Sequence, residues 1–186
     1  MPVRFTIENQ LLKTWLLLHQ TCNIMIKAED AVFGKVGLTT QQNAVLHAMR
    51  YIKAPVTPSE AASWLDRNTN TITTLVDRME KDGLVRRARD LKDRRSVRLQ
   101  MTKKGEEVLA QSSKLGWQLV QETLVGLSEE EIQVLIKLLE TIREKVFDNL
   151  YPGKVMEEVK PQFEVKNLPR TVSKRGKSPS SKRSAG

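Results

Sequence analysis

The stretch that decides the fold reads Asn68-Thr69-Asn70-Thr71-Ile72-Thr73-Thr74-Leu75-Val76-Asp77-Arg78-Met79-Glu80-Lys81-Asp82-Gly83. Ile72, Leu75, Val76 and Met79 recur at spacings of 3, 1 and 3, which places them on one face of a helix over about 69–82. Gly83 stands where a left-handed C-terminal cap is usual. Just upstream, Val56-Thr57-Pro58-Ser59-Glu60 is a strong helix start: Thr57 can cap, Pro58 takes the first helical position and Glu60 completes a capping box. That helix is short, to about Leu65, and Asp66-Arg67-Asn68 turns the chain into the next one. A short helix, a tight turn and a second helix with a polar outer face form the helix-turn-helix pattern.

Downstream the period changes. Residues 84–89 and 96–101 read as two short strands, the second alternating Val97, Leu99 and Met101 with Arg98 and Gln100. Between them Asp90-Leu91-Lys92-Asp93-Arg94-Arg95 forms a polar hairpin tip. From Arg86 to Arg98 there are seven cations and two acids, net +5 over thirteen positions. The B-DNA minor groove is narrow and electronegative and admits an arginine-tipped arm, while flanking cations neutralise phosphates. The plainer alternative is a solvated hairpin whose charges protect an edge strand from aggregation. The preceding helix has the opposite character, net −1 over residues 69–82. Its outward Asn70, Thr73 and Thr74 are short enough to let it sit deep in the major groove, where Asn pairs with adenine and Thr meets a thymine methyl.

Long helices flank this core. Residues 5–33 hold no Gly or Pro, and Leu11, Leu12, Trp15, Leu18, Cys22, Met25 and Ile26 recur at helical intervals before Gly34 and Gly37 punctuate the chain. A second helix opens with the Thr39/Gln42 box and runs to Pro55, with Val45, Leu46, Met49 and Ile52 as its stripe. Thr102 caps a fifth helix to about Val125. Ser128 and Glu131 open a sixth, whose Ile132, Leu135, Leu139, Ile142 and Val146 form a heptad seam. The pattern dissolves from about residue 154, and the segment beyond reads as disordered. The fold class expected is mainly α: a winged helix-turn-helix core with a small β-hairpin wing, flanked by long dimerisation helices. Its divisions are 1–36, 37–105, 106–152 and a basic tail at 153–186.

Composition narrows the function. The 186 residues carry 31 Lys+Arg against 22 Asp+Glu, net +9. Residues 166–186 supply seven of those charges with no acid, leaving +2 for the rest, so the overall balance says little about the folded part. One Cys excludes an internal disulfide framework, and two His with one Cys make a zinc cage unworkable without several carboxylates. No glycine-rich phosphate loop, nucleophile elbow or paired-His helix appears, so neither an enzyme, a cofactor nor a metal is expected. The longest wholly apolar run, Trp15-Leu16-Leu17-Leu18, is too short to span a bilayer. A soluble cytoplasmic protein with no membrane partner is expected.

Residues 39–105 resemble the DNA-binding core of the MarR (multiple antibiotic resistance regulator) family of winged-helix proteins. Asn70 through Val85 matches that family's recognition helix and exit, and Asp93-Arg94-Arg95-Ser96-Val97-Arg98-Leu99-Gln100-Met101-Thr102-Lys103-Lys104-Gly105 matches its wing and following helix. Met101 replaces a usual leucine. The resemblance implies a DNA-binding transcriptional regulator, with repression as the default. It implies that Arg95 enters the minor groove, steadied by Asp93, with Arg94, Lys92, Arg86 and Arg87 as further groove or phosphate contacts. In the major groove it implies Asn68, Thr69, Asn70, Thr71, Thr73, Thr74 and Arg78. Both the resemblance and the apolar stripes point to a homodimer held by Leu11, Trp15, Leu18, Ile132, Leu135, Leu139, Ile142 and Val146, reading a pseudo-palindromic duplex operator. Many relatives release DNA when a small, often aromatic, molecule binds between dimer helices and DNA-binding lobes. Trp15, His19, Met49 and Trp117 are candidate walls, although each reads more readily as plain core or interface. Cys22 reads as a buried structural thiol rather than a redox sensor. The alternative function is an architectural DNA-binding protein of weak sequence preference, because a winged helix with a Ser-Pro-Lys tail also resembles linker histones. A winged helix reused to bind protein would leave the arginine-rich wing unexplained.

Overall fold

The structure, a computed structural model, describes residues 8–52, 56–89 and 97–156. Among them are α1 (Gln10–Phe33), a 3-10 turn (Gly34–Val36), α2 (Thr40–Tyr51), α3 (Pro58–Leu65) and α4 (Thr69–Lys81). Strands β1 (Val85–Arg89) and β2 (Val97–Met101) come next, then α5 (Lys103–Leu124) and α6 (Glu129–Leu150). Among the described residues this is a winged-helix architecture: mainly helical, with one small antiparallel sheet.

Local chemistry sets most boundaries. Thr39 and Gln42 cap α2 reciprocally, the Thr39 N–H donating to Gln42 Oε1 at 2.9 Å and the Gln42 N–H to Thr39 Oγ1 at 3.2 Å. Thr57 and Glu60 do the same for α3, at 2.7 and 3.1 Å, and Ser128 and Glu131 for α6. The Thr57 N–H holds the Glu60 carboxyl below the usual carboxylate range. Gly83 adopts φ +72°, its N–H reaching Glu80 O at 3.0 Å, so the chain leaves α4 in the left-handed turn its sequence announces. Helix α1 begins later than the expected residue 5, because Asn9 Oδ1 accepts from the N–H groups of Leu11 and Leu12 and starts the helix at Gln10. Residues 5–7, the expected stop at Pro55, the hairpin tip and the tail from residue 157 lie outside the described residues.

The strands pair in the register Val85↔Met101, Arg87↔Leu99 and Arg89↔Val97. Sequence periodicity misses a third participant. Val56 bridges to β2, its carbonyl accepting from the Leu99 N–H at 2.7 Å. One residue shows no alternation, so no pattern betrays it. The core lies under the helix-turn-helix: Val45, Leu46, Val56, Ala61, Val76 and Met79 are 0–1% exposed, each of the large ones contributing about 1.5–3 kcal/mol by burial. Phe33 from α1 and Leu109 from α5 join it. Thr102 joins wing to α5, donating from Oγ1 to Gly83 O at 2.6 Å and accepting from the Gly105 N–H at 3.0 Å.

Two helices stand apart from this core. Phe33 is the one fully buried residue of α1, and Leu11, Trp15, Ile24 and Met25 are about half exposed or more. Cys22, expected to be buried, is therefore exposed on the single chain. Leu18 of α1 is half-buried; along α6, Leu135, Leu139 and Val146 face solvent while Ile132 and Ile142 are half-buried, and no other described element packs along the helix. No described helix is long and apolar enough to cross a membrane.

Candidate nucleic-acid interface

Helix α4 presents Thr69, Asn70, Thr71, Thr74 and Arg78 exposed, and Thr73 half-buried, opposite Ile72, Leu75, Val76 and Met79 in the core. The Thr73 hydroxyl donates to Thr69 O at 2.8 Å and the Thr74 hydroxyl to Asn70 O at 3.0 Å. With those protons committed to the helix, each threonine offers outward an acceptor lone pair and a methyl group. Asn68 caps α4 through Oδ1, which accepts from the Asn70 N–H at 2.8 Å, leaving its side-chain N–H groups as donors. Thr71 and Arg78 lie along one edge of α4, where with Arg67, Lys81 and the start of α2 they line a cleft of about 870 Å³.

The wing treats its arginines differently. Arg86 is exposed, held beside its cross-strand neighbour by Nε donating to Gln100 Oε1 at 2.9 Å. Arg87, expected to touch DNA, instead turns toward α4. Its guanidinium meets Asp77 at 2.6 Å and Glu80 at 2.8 Å, and its N–H donates to Glu80 Oε1 at 2.9 Å. The reason is strand alternation, which puts Arg87 on the same face as buried Val85. That alternation, with two acids in the C-terminal half of α4, is the signal a charge count overlooks. Arg98 makes a similar tie, reaching Glu60 at the start of α3 at 3.6 Å. The wing is thus bolted to both helices of the helix-turn-helix. Lys92, Asp93, Arg94 and Arg95 lie outside the described residues, beyond the rung Arg89↔Val97.

The candidate effector residues do not share a site. Met49 is 8% exposed and belongs to the core, because the inward stripe of α2 includes it. Trp15 and His19 pair edge to face at 4.7 Å on the exposed side of α1. Only Trp117 among the four lines the cleft of about 620 Å³ between α1, α2 and α5. The residues missed there are Glu29, His47, Arg50 and Tyr51, with buried Asn43 and Ser112 hydrogen-bonded at 2.6 Å in its wall. Burial, aided by Arg50, pushes the His47 pKa down; burial, aided by Asp30, pushes Glu29 up. Tyr51 stacks between His47 and Trp64, ring centroids 5.9 and 6.1 Å away. The walls come from three helices, so no local motif marks them.

A sequence profile of the MarR family matches residues 38–97. The chain is also 31% identical over 134 residues to the HTH-type transcriptional regulator PecS of Dickeya dadantii (strain 3937), covering 71% of this chain and 81% of PecS. The chain belongs to the MarR family. Like its MarR relatives it is a DNA-binding transcriptional regulator and not an enzyme. A cysteine-to-serine variant of E. coli MarR, solved with operator DNA, superposes with a TM-score of 0.67 at 25% identity, over 74% of this chain and 99% of that one. The organohalide-sensing regulator RdhR, in its 2,4-dichlorophenol-bound form, gives 0.74 at 21% identity over 89% and 100%, a likeness of MarR fold.

Proposed function

We propose that this MarR-family protein is a homodimeric repressor that reads a pseudo-palindromic operator and leaves it when a small aromatic molecule binds. The observation that carries the DNA reading is the pairing of a neutral, short-chained face on α4 with an arginine-rich hairpin bolted to it through Arg87. Asn70, Thr73 and Thr74 enter the major groove, where Asn70 pairs with adenine and the threonines meet base-edge donors and thymine methyls. Arg95, steadied by Asp93, enters the adjoining minor groove. Two copies joined through α1, α5 and α6 set their α4 helices roughly 34–36 Å apart, one helical turn of DNA. The exposed seams of α1 and α6 support that joining. The effector reading is supported by the cleft beside Trp117, Tyr51 and His47, of a size for a planar aromatic molecule, and by a related fold solved with a chlorophenol. The cleft lies between a dimer helix and the DNA-binding lobe, so occupancy that favours one lobe spacing shifts operator affinity.

Selection of bound fragments from random DNA, followed by footprinting, tests the reading. A discrete palindromic site is expected, and Arg95→Ala is expected to weaken binding to it by about 1–3 kcal/mol while leaving the dimer intact. Unchanged affinity overturns the wing assignment. Protection that simply lengthens with the duplex would replace the repressor by an architectural, weakly selective DNA-binding protein. Screening aromatic compounds for release from the selected site tests the effector.

A further inference from the structure

The cleft between α1, α2 and α5 carries its polar groups in an ordered row. Asn43, His47 and Arg50 follow one another along α2 at spacings of 4 and 3, which sets them on one face of that helix, and all three line the cleft. Asn43 and Arg50 stand two turns apart, about 10 Å along the axis at ~1.5 Å per residue. Asn43 is 7% exposed, whereas Arg50 is exposed, so the row runs from the wall of the cleft to its mouth. From α1 and α5, Phe33, Gly116, Trp117 and Val120 line the same cleft with apolar surface. A Cβ at Gly116 would stand 3.3 Å from the Phe33 ring, so the bare backbone there makes room for that ring.

Each end of the row has bonding capacity to spare. Asn43 Oδ1 accepts from the Ser112 hydroxyl at 2.6 Å, which leaves the two donors on its Nδ2 without a partner among the described residues. That nitrogen is not sealed inside the protein, because the sealed side-chain atom lacking a partner is Thr40 Oγ1, outside this cleft. It therefore opens on the cleft, and a donor pair in so enclosed a wall calls for an acceptor oxygen. Arg50 is the one Lys or Arg among the described residues of the lining, and it makes no ion pair with any described residue. Its guanidinium is free for a carboxylate. Between the two, His47 is held stacked on Tyr51, and burial favours its neutral ring, which adds hydrogen bonding without charge. A ligand that meets both ends of the row carries its oxygens at opposite ends of an apolar frame.

We infer that the cleft selects an aromatic carboxylate bearing a second oxygen acceptor across the ring: the carboxylate pairs with Arg50 at the mouth, the acceptor takes the Asn43 amide, and the ring packs on Phe33 and Trp117. The inference rests on the reading of this cleft as the effector site and narrows it. A halophenol or a plain benzoate carries its oxygen at one end only and leaves the other end of the row unmet.

Titration calorimetry of the full chain without DNA tests this. It compares 4-acetylbenzoate with benzoate, which lacks the acceptor, with 2-acetylbenzoate, which holds it at the wrong position, and with 2,4-dichlorophenol. 4-Acetylbenzoate is expected to bind once per chain, about 3–10-fold tighter than each of the others, the difference one hydrogen bond supplies. Asn43→Leu is expected to close the gap between 4-acetylbenzoate and benzoate; the Ser112 hydroxyl keeps an acceptor in that variant, Leu109 O at 3.0 Å. Arg50→Gln, at an exposed position, is expected to weaken both acids alike, by about 3–10-fold, and carries the test should Asn43→Leu not fold. Equal affinities across the series, tightest binding by the dichlorophenol, or no binding at all overturns the inference. So does a gap that survives in Asn43→Leu, or acids that bind Arg50→Gln undiminished. Failure of the effector reading looks different: 4-acetylbenzoate would bind with the expected selectivity yet leave operator affinity where it was.

Discussion

Arg87 sits in the most basic stretch of the folded region, yet it faces Asp77 and Glu80 and donates its own N–H to Glu80. Its side chain is 27% exposed, so each ion pair contributes up to about 1 kcal/mol, and the three contacts matter chiefly as geometry. They fix β1 against the C-terminal half of α4 and so set the angle between the wing and that helix, the two parts proposed to enter the grooves. Arg87→Gln is expected to lower stability by about 1 kcal/mol and operator affinity about tenfold. The slope of affinity against salt should stay where it was. A slope shallower by ~0.9 would instead make Arg87 a phosphate contact. A double-mutant cycle with Glu80→Gln should return a coupling of about 1 kcal/mol in thermal unfolding.

At the scale of elements, the junction of wing and α5 leaves no room for a side chain at Gly105. A side chain at Gly105 would run into the Leu84 carbonyl oxygen and stand 2.8 Å from Met101 Cγ. Methionine can swing away; a backbone carbonyl that also accepts from the Thr102 N–H at 3.0 Å cannot. Gly105→Ala gains about 1 kcal/mol in helix propensity and loses about 1–3 kcal/mol to overpacking, so a net fall of several degrees in Tm is expected from thermal unfolding. An unchanged or raised Tm would show that the junction gives way. The helix caps were legible in sequence because each is a local signal: Thr39 with Gln42, Thr57 with Glu60, Ser128 with Glu131, Gly83 after Asp82. What sequence hid is non-local. Val56 pairs with Leu99 across 43 positions, as a single rung without periodicity. The cleft draws Glu29, His47 and Trp117 from three separate helices, while Met49, close to His47 and Arg50 in sequence, faces the core instead.

The molecule as a whole has more apolar surface than one copy can cover. Leu135, Leu139 and Val146 lie in heptad register on α6 at 39–45% exposure, and Leu11 on α1 is 82% exposed. Exposed stripes of this kind mark association surfaces, and a two-fold axis would bury each residue twice, at about 1.5–3 kcal/mol per leucine. Because neither Leu135 nor Leu139 belongs to the lobe's core, Leu135→Glu with Leu139→Glu should leave that lobe folded, with α2 to α5 retained by circular dichroism. Light scattering should then report the mass of one chain where the parent reports two. Operator affinity should fall by about 10²–10⁴, since one lobe alone forfeits the effective concentration that the second half-site supplies. A variant that keeps twice the chain mass would move the interface away from this seam, and with it the geometry that spaces two α4 helices one turn of DNA apart.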